Sequence, residues 1–176
     1  MSEYRVVECT LQEHGDAILD IFNEAILNST ALFEYEPRTV EKMQAWFELK
    51  QAGIFPVIGL VDEHGNLAGF ASMGNFRPFP ANKYTVEHSV YVHKDFRGEG
   101  LGRRLLELIV EAARQRDIHV MIGGITADNR ASIELHKKLG FVHVGTLPEV
   151  GFKFGHWQDL AFYQLTFETP AQPVDG

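Results

Sequence analysis

A β-branched segment, Thr85 to Val92, runs through the glycine-rich turn Arg97-Gly98-Glu99-Gly100-Leu101-Gly102-Arg103 into a helix whose Leu101, Leu105, Leu108, Ile109 and Ala112 share one face. A strand feeding a one-faced helix must bury both against a common sheet, which commits the chain to a layered α/β domain. The flanking segments agree. Tyr4 to Glu8 reads as a strand, and Ile18, Ile21, Phe22, Ala25 and Ile26 recur at helical spacing. A second helix follows Pro37, with Thr39 as N-cap and Met43, Trp46, Phe47 and the stem of Lys50 facing inward. Phe55 to Val61 and Leu67 to Met73 form a hairpin across Asp62 to Asn66, and the prolines of Phe76 to Lys83 make that stretch a loop. The long helix ends near Arg116. Beyond it come a strand over His119 to Thr126, a short helix from Ala131 to Leu139 stopped by Gly140, and a strand over Phe141 to Gly145. Gln158 to Phe167 is expected to close the sheet. Strands alternating with helices, with a hairpin among them, predict a mixed sheet carrying helices on both sides.

At 176 residues, 45% apolar and 23% charged, the chain is sized for one domain, expected over residues 1–168. Residues 169–176 (TPAQPVDG) read as a flexible tail, disordered or lying on the surface. Sixteen Lys and Arg against 24 Asp and Glu leave a net charge of −8, which argues against nucleic acid as a partner but leaves room for a small anion site. Cys9 is the only cysteine, so neither an intrachain disulfide nor a Cys-rich zinc site can form. No run of about 18 apolar residues is present, and MSEYRVVECTLQ lacks a basic region followed by an apolar one. These features read as a soluble, cytoplasmic protein with no membrane partner. The histidines include no pair at i, i+4 beside a glutamate, and no metal is expected.

The glycine turn carries the first chemical signal. Bare backbone N–H groups at a helix start, next to the positive end of its dipole, bind phosphate, and alternate glycines let an anion approach the backbone. Arg103 and Arg104 stand in the first helical turn, where a cation is disfavoured by roughly 0.3–1 kcal/mol, a conflict that a bound phosphate would offset. A dinucleotide fingerprint would need glycine where Arg103 stands, and a Walker loop would need Gly-Lys-Ser/Thr; neither is present. A glycine-rich connection without a ligand is the plain alternative.

The string Arg97-x-x-Gly100-x-Gly102 resembles the acyl-CoA signature R/Q-x-x-G-x-G/A of the GNAT superfamily of N-acyltransferases. Asn129-x-x-Ser132-x-x-x-His136-x-x-x-Gly140-Phe141 is similar to a second superfamily segment at the expected distance. Within the superfamily, Thr85 to Val92, the Arg77-Pro78-Phe79 loop and Lys153-Phe154-Gly155-x-Trp157-x-Asp159 resemble the phosphinothricin acetyltransferase family, a match reaching to Phe167. The resemblance implies acetyl-CoA as donor, a small glutamate-like amino acid as acceptor (phosphinothricin, methionine sulfoximine or methionine sulfone) and a homodimer. It also implies a sheet whose fourth and fifth strands splay apart around the pantetheine arm. By position, Val90, Tyr91 and Val92 would bind pantetheine, and Gly98, Glu99, Gly100, Leu101, Gly102 and Arg103 the pyrophosphate, with Asn129 and Lys138 completing the CoA site. Arg77, Pro78, Phe79, Glu87, His88 and Ser89 would line the acceptor pocket, with Phe33 in the wall formed by the loop between the first two helices. Many superfamily members carry tyrosine where His136 stands.

Amide formation needs a neutral amine, and an α-ammonium must first lose its proton. Strand alternation puts Thr85, Glu87, Ser89 and Tyr91 on one face and Val86, His88, Val90 and Val92 on the other. Glutamate is depleted from strand interiors, which makes Glu87 the candidate general base; a solvent-facing edge glutamate is the alternative. The departing thiolate needs a proton from His136, Tyr91 or water, and His136 reads equally as a packing residue. His88, on the opposite face from Glu87, reads as structural although the resemblance sets it near the pocket. Arg77 suits a carboxylate clamp, or a surface guanidinium stacked on a neighbouring ring. Phe33, Tyr35 and Glu36 fit a pocket wall or a dimer contact, and Trp157 and Phe162 read as buried. Acetylation of a protein N-terminus or a polyamine, and non-catalytic binding of acetyl-CoA, remain as alternatives.

Overall fold

The structure is a computed structural model that describes residues 3–176. Its elements are β1 (Arg5–Glu8), α1 (Leu11–Asn28), α2 (Val40–Ala52), β2 (Val57–Val61), β3 (Leu67–Asn75), β4 (Thr85–Val92), α3 (Leu101–Gln115), β5 (Val120–Thr126), α4 (Arg130–Lys138), β6 (Val142–Lys153) and β7 (His156–Thr166). Side chains start three of the helices. Thr10 Oγ1 accepts from the Glu13 amide at 3.1 Å, Thr39 Oγ1 from Lys42 at 3.2 Å and Asn129 Oδ1 from Ser132 at 3.3 Å. The fourth, α3, begins on Gly100 in the left-handed conformation with no side-chain cap.

Seven strands form one open sheet in the order β1-β2-β3-β4-β5-β7-β6. All neighbours are antiparallel except β4 and β5. That parallel pair holds register only at Thr85–Val120, Val86–Met121 and Glu87–Ile122. Past Glu87 the two strands diverge, β4 running on to Val92 and β5 to Thr126. The expected splay therefore opens at Glu87.

The helices lie on both sheet faces. Leu105, Leu106 and Ile109 of α3 bury against Leu60, Met73, Val86 and Met121, all at 1% exposure or less. On the other face Ile18 and Phe22 of α1 and Met43 and Phe47 of α2 pack on Val57 and Phe70. Gly69 sets the approach of α3: a Cβ there would lie 2.9 Å from Leu105 Cδ1 and 2.8 Å from the Tyr91 oxygen. Cys9 is part of the second layer, and burial pushes its thiol up to about 12, so it is an inert core side chain.

The C-terminal half of the sheet departs from the sequence reading. β7 does not close the sheet; it lies between β5 and β6, leaving β6 at the edge. β6 continues well past Gly145, to Lys153. Pro148 and the positive φ of 55° at Glu149 interrupt its alternation, and the register against β7 shifts between Leu147 and Gly151. Asp159 Oδ1 accepts the Glu149 amide at 2.8 Å and holds that bulge. Phe154 and Gly155, both at positive φ, form the two-residue turn into β7, which starts at His156. Trp157 is 62% exposed rather than buried, its ring 5.0 Å from that of Phe152 across the hairpin, while Phe162 is half-buried edge-on to Phe76. Residues 169–176 lie on the surface, where Val174 donates its amide to the Tyr84 hydroxyl at 3.1 Å and Lys83 reaches the Gly176 carbonyl at 3.1 Å. Among the described residues no helix is long and apolar enough to cross a membrane.

Candidate active site

The divergence of β4 and β5 opens a cavity of about 490 Å³. Glu87 to Val92 form one wall, and Gly123 to Thr126 of β5 form the opposite one. Thr30 to Phe33, in the connection after α1, close one side, and Gly102 and Leu106 of α3 with Asn129, Ser132 and His136 around α4 close the other. Adjacent glycines in β5 leave room for the functional side chains on both sheet faces. A Cβ at Gly124 would meet Glu87 Oε1 at 3.7 Å, and one at Gly123 would meet His88 Cε1 at 2.8 Å and His136 Nε2 at 3.3 Å. Strand alternation thus holds as read: Glu87 belongs to one face and His88 to the other.

Glu87 is open to solvent in the cavity, yet the surrounding walls desolvate its carboxylate and raise its pKa above the ordinary value. Tyr91 packs between Phe22 and Phe70, with ring centroids 5.2 and 5.5 Å away, and burial pushes its hydroxyl up to about 12. Such a phenol holds its proton tightly and is a weak acid. His88 and His136 are buried, with exposures of 7% and 5%, and their Nε2 atoms are 2.9 Å apart. Burial lowers the proton affinity of each ring.

The turn before α3 is shaped by its glycines. Gly98 and Gly100 have φ of 84° and 76°, which other residues adopt only with strain, and a Cβ at either would meet no protein atom within 4 Å. The space beside both glycines is thus open, and α3 starts with no side-chain cap on its first amides. The charge conflict read from the sequence is partly offset inside the protein, because Arg103 pairs with Glu107 at 2.8 Å.

Of the residues singled out from sequence, the cavity brings together Phe33, Glu87, His88, Ser89, Val90, Tyr91, Val92, Gly102, Asn129 and His136. Gly98, Glu99, Gly100 and Arg103 are exposed on the turn beside it, Glu99 accepting from the Tyr4 hydroxyl at 2.7 Å, while the Leu101 side chain enters the core. Lys138 is exposed at the end of α4, away from the lining. Arg77, Pro78 and Phe79 are exposed and outside the cavity lining, with the Arg77 guanidinium 5.0 Å over the Phe79 ring. A flexible cation beside an exposed aromatic gains more from stacking than from pointing into water. His88, read as structural but placed near the pocket by the resemblance, lines the cavity and bonds to His136.

Two contributions were not read from the sequence. Thr30 and Thr126 bring their hydroxyls within 3.2 Å of each other across the cavity. The connection from Thr30 to Tyr35 is clasped by three consecutive residues of β6. Phe33 seats its ring on Gly151, Tyr35 donates to the Phe152 carbonyl, and the Lys153 ammonium donates to the Ile26, Ser29 and Leu32 carbonyls at 2.6, 2.8 and 2.8 Å. Nothing in the sequence marks this lysine out as buried; its 4% exposure appears only in the fold. Among the described residues no group of three His, Cys, Asp or Glu side chains is arranged to hold a metal ion.

The profile of the acetyltransferase (GNAT) family matches residues 18–141. An L-methionine sulfoximine/L-methionine sulfone acetyltransferase of Pseudomonas aeruginosa is 45% identical over 151 residues, covering 86% of this chain and 88% of that one. An L-amino acid N-acyltransferase of Escherichia coli is 43% identical over 157 residues, covering 89% and 91%. A GNAT superfamily phosphinothricin acetyltransferase from Sinorhizobium meliloti, solved in complex with acetyl-CoA, superposes with a TM-score of 0.93 at 31% identity, covering 100% of this chain and 95% of that one.

Proposed function

Since the chain belongs to the GNAT family of acetyltransferases, we propose that it moves the acetyl group of acetyl-CoA onto the α-amino group of a small glutamate-like amino acid, of the methionine sulfoximine, methionine sulfone and phosphinothricin type. The observation that carries this reading is the opening of the sheet at Glu87, which puts one desolvated carboxylate at the head of a cavity running towards the uncapped start of α3. Residues Val90, Tyr91 and Val92, where β4 has left β5, offer backbone groups to the pantetheine arm. The amides of Gly98 to Arg103 receive the pyrophosphate, and Asn129 borders the same cavity. Lys138 is assigned to the outer end of the CoA, where its exposed ammonium meets phosphate.

In this assignment Glu87 takes the proton of the acceptor ammonium, directly or through a water, and the amine nitrogen attacks the thioester carbon. A desolvated carboxylate is a stronger base than an exposed one. Collapse of the tetrahedral intermediate expels the CoA thiolate, which is protonated from the His136 side of the cavity. Phe33, His88 and Ser89 border the acceptor space. For Arg77 to bind the acceptor carboxylate its guanidinium must swing off the Phe79 ring, and we assign it that role on acceptor entry. Arg77→Ala then raises the acceptor KM by roughly 10–100-fold, the worth of a charge-assisted hydrogen bond, with the acetyl-CoA Kd unchanged; an unaltered KM would return Arg77 to the surface.

Gly100→Val tests the phosphate turn. A β-branched residue at φ 76° disfavours the helix start by about 1–2 kcal/mol, and its side chain fills the space open to the anion. Acetyl-CoA affinity measured by calorimetry is expected to fall roughly tenfold or more, and wild-type affinity would remove the turn from the site.

The exposed apolar residues of the β6–β7 hairpin, among them Val142, Val144, Phe152 and Trp157, support a homodimer, to be checked by sedentation equilibrium. A lone buried Cys9 supports a cytoplasmic setting. The deciding assay is thiol release from acetyl-CoA by the purified protein with L-methionine sulfoximine, methionine sulfone, L-phosphinothricin, spermidine or a short peptide. Release with the amino acids alone is expected; release only with the polyamine or peptide overturns the acceptor, and release with none overturns acetyl transfer to amines.

A further inference from the structure

Three contacts fix the His88 and His136 rings. His88 Nδ1 lies 3.0 Å from the Ile122 carbonyl oxygen, and His136 Nδ1 lies 2.7 Å from that of Ser132. A carbonyl oxygen only accepts, so each Nδ1 carries a proton, and each neutral ring is left with a lone pair on Nε2. Those two Nε2 atoms are 2.9 Å apart. Three contacts require three protons, and two neutral imidazoles bring two. We propose that His88 and His136 jointly hold a third proton between their Nε2 atoms, and that this proton goes to the CoA sulfur when the thioester breaks. The delivery step rests on the acetyl-transfer reading above; the proton count does not.

The surroundings neither neutralise the pair nor duplicate it. β5 presents Gly123, whose missing side chain makes the space for both rings, and Phe141 packs on them with centroids 5.6 and 4.9 Å away. From α4 comes the Ser132 hydroxyl, 3.5 Å from His136 Nδ1. Glu87, next to His88 in β4, belongs to the opposite sheet face, and the charge that acts on His88 is that of His136. Burial disfavours a full charge on either ring, and two charged rings at this separation exclude each other. One shared proton still places a single positive charge on the buried pair, and that cost is opposed by the charge-assisted hydrogen bond it forms between two facing lone pairs in a low dielectric. The proton belongs to the pair and titrates as one event.

The step balances. Glu87 passes the ammonium proton on to solvent; the amine nitrogen then bonds to the acetyl carbon and gives a second proton to Glu87; the C–S bond breaks with its electron pair on sulfur, and the shared proton forms the S–H bond. Two neutral imidazoles remain, solvent returns one proton to them, and Glu87 releases one to solvent. His88 acts through His136 and is a positioning residue.

Nitrogen-15 NMR of the histidine rings in the substrate-free wild type reads the proton count. Three protonated nitrogens among the four of this pair are expected at neutral pH. Protonation at the two Nδ1 atoms alone, throughout the pH range in which the protein stays folded, overturns the proposal. His88→Phe keeps a ring in place, and His88→Gln can offer an amide N–H to His136 without carrying a titrating proton; in both, His136 is expected to be protonated at Nδ1 only. Single-turnover acetyl transfer by either variant, and by His136→Phe, is expected to drop by about 10²-fold, with the acetyl-CoA Kd unchanged. Combining His88→Phe with His136→Phe then costs no further rate. Wild-type single-turnover rates in His88→Gln overturn the delivery step. Should the wild type acetylate no amine at all, the acetyl-transfer reading fails and the nitrogen spectrum still decides the shared proton.

Discussion

Replacing Glu87 by Gln lowers acetyl transfer by about 10²–10⁴-fold at neutral pH, the range for loss of a positioned general base, while acetyl-CoA binding persists. The pH dependence separates this from a general disturbance. Glu87 must be ionised to accept a proton, and its surroundings raise its pKa above the ordinary carboxylate value, which is about 4.3. The wild-type rate therefore falls as pH drops through that raised pKa. Glutamine does not titrate there, so the variant depends only on the free amine supplied by solution. Its deficit is largest at low pH and narrows as pH rises towards the amine's own pKa. Initial rates across pH with a single acceptor read this directly, and a variant profile parallel to wild type would remove Glu87 as the base.

The same raised pKa fixes the sign of the effect on stability. The folded chain holds the Glu87 proton more tightly than the unfolded chain does, so ionising Glu87 disfavours the folded state. Stability attributable to this group falls as pH rises through the window between the unfolded and the raised folded pKa. Glutamine has no charge to desolvate. Glu87→Gln is therefore expected to melt at or above the wild-type temperature at neutral pH, so a loss of rate beside an unchanged or raised Tm locates the effect in the chemistry. A functional carboxylate of this kind trades stability for basicity.

How far this site could be read in advance depended on whether its parts are local in the chain. The start of α3 is local: glycines, a bare helix terminus and an apolar stripe all fall within about one strand–turn–helix unit, so its position followed from spacing alone. Glu87 was legible because strand alternation is strict and glutamate is uncommon inside a strand. β6 was read short because Pro148 and the left-handed Glu149 break the alternation that marks a strand, while the hydrogen bonds that restore it come from β7. The partnership of His88 with His136 spans 48 residues and leaves no periodicity. Arg77 is a different case: residue type and a proline-bounded loop allow either a clamp or a stacked guanidinium, and only the fold shows that it rests over the Phe79 ring.

Lys153→Met should release the wall of the cavity that β6 holds. The Lys153 ammonium donates all three of its protons to the Ile26, Ser29 and Leu32 carbonyls at the C-terminal end of α1 and in the connection after it, where a cation is favoured by the helix dipole. Burial lowers its pKa, and the Glu34 carboxylate opposes that shift. Methionine has a similar length and no donor, so three carbonyls lose a partner at once. Leaving buried acceptors unsatisfied destabilises by about 1–3 kcal/mol each before solvent reaches them. A net loss of about 3 kcal/mol, or roughly 6–12 °C in Tm, is therefore expected for a domain of this size. The functional effect is directional. Thr30 to Phe33 line the cavity from this connection, whereas the Lys153 ammonium bonds to Ile26, Ser29 and Leu32 and not to the turn before α3, so the acceptor KM should rise while the acetyl-CoA Kd stays put. Lys153→Arg keeps the charge and the donors and should recover part of both losses. Equal weakening of acceptor and acetyl-CoA would instead mean that Lys153 supports the whole domain and not this wall of the cavity.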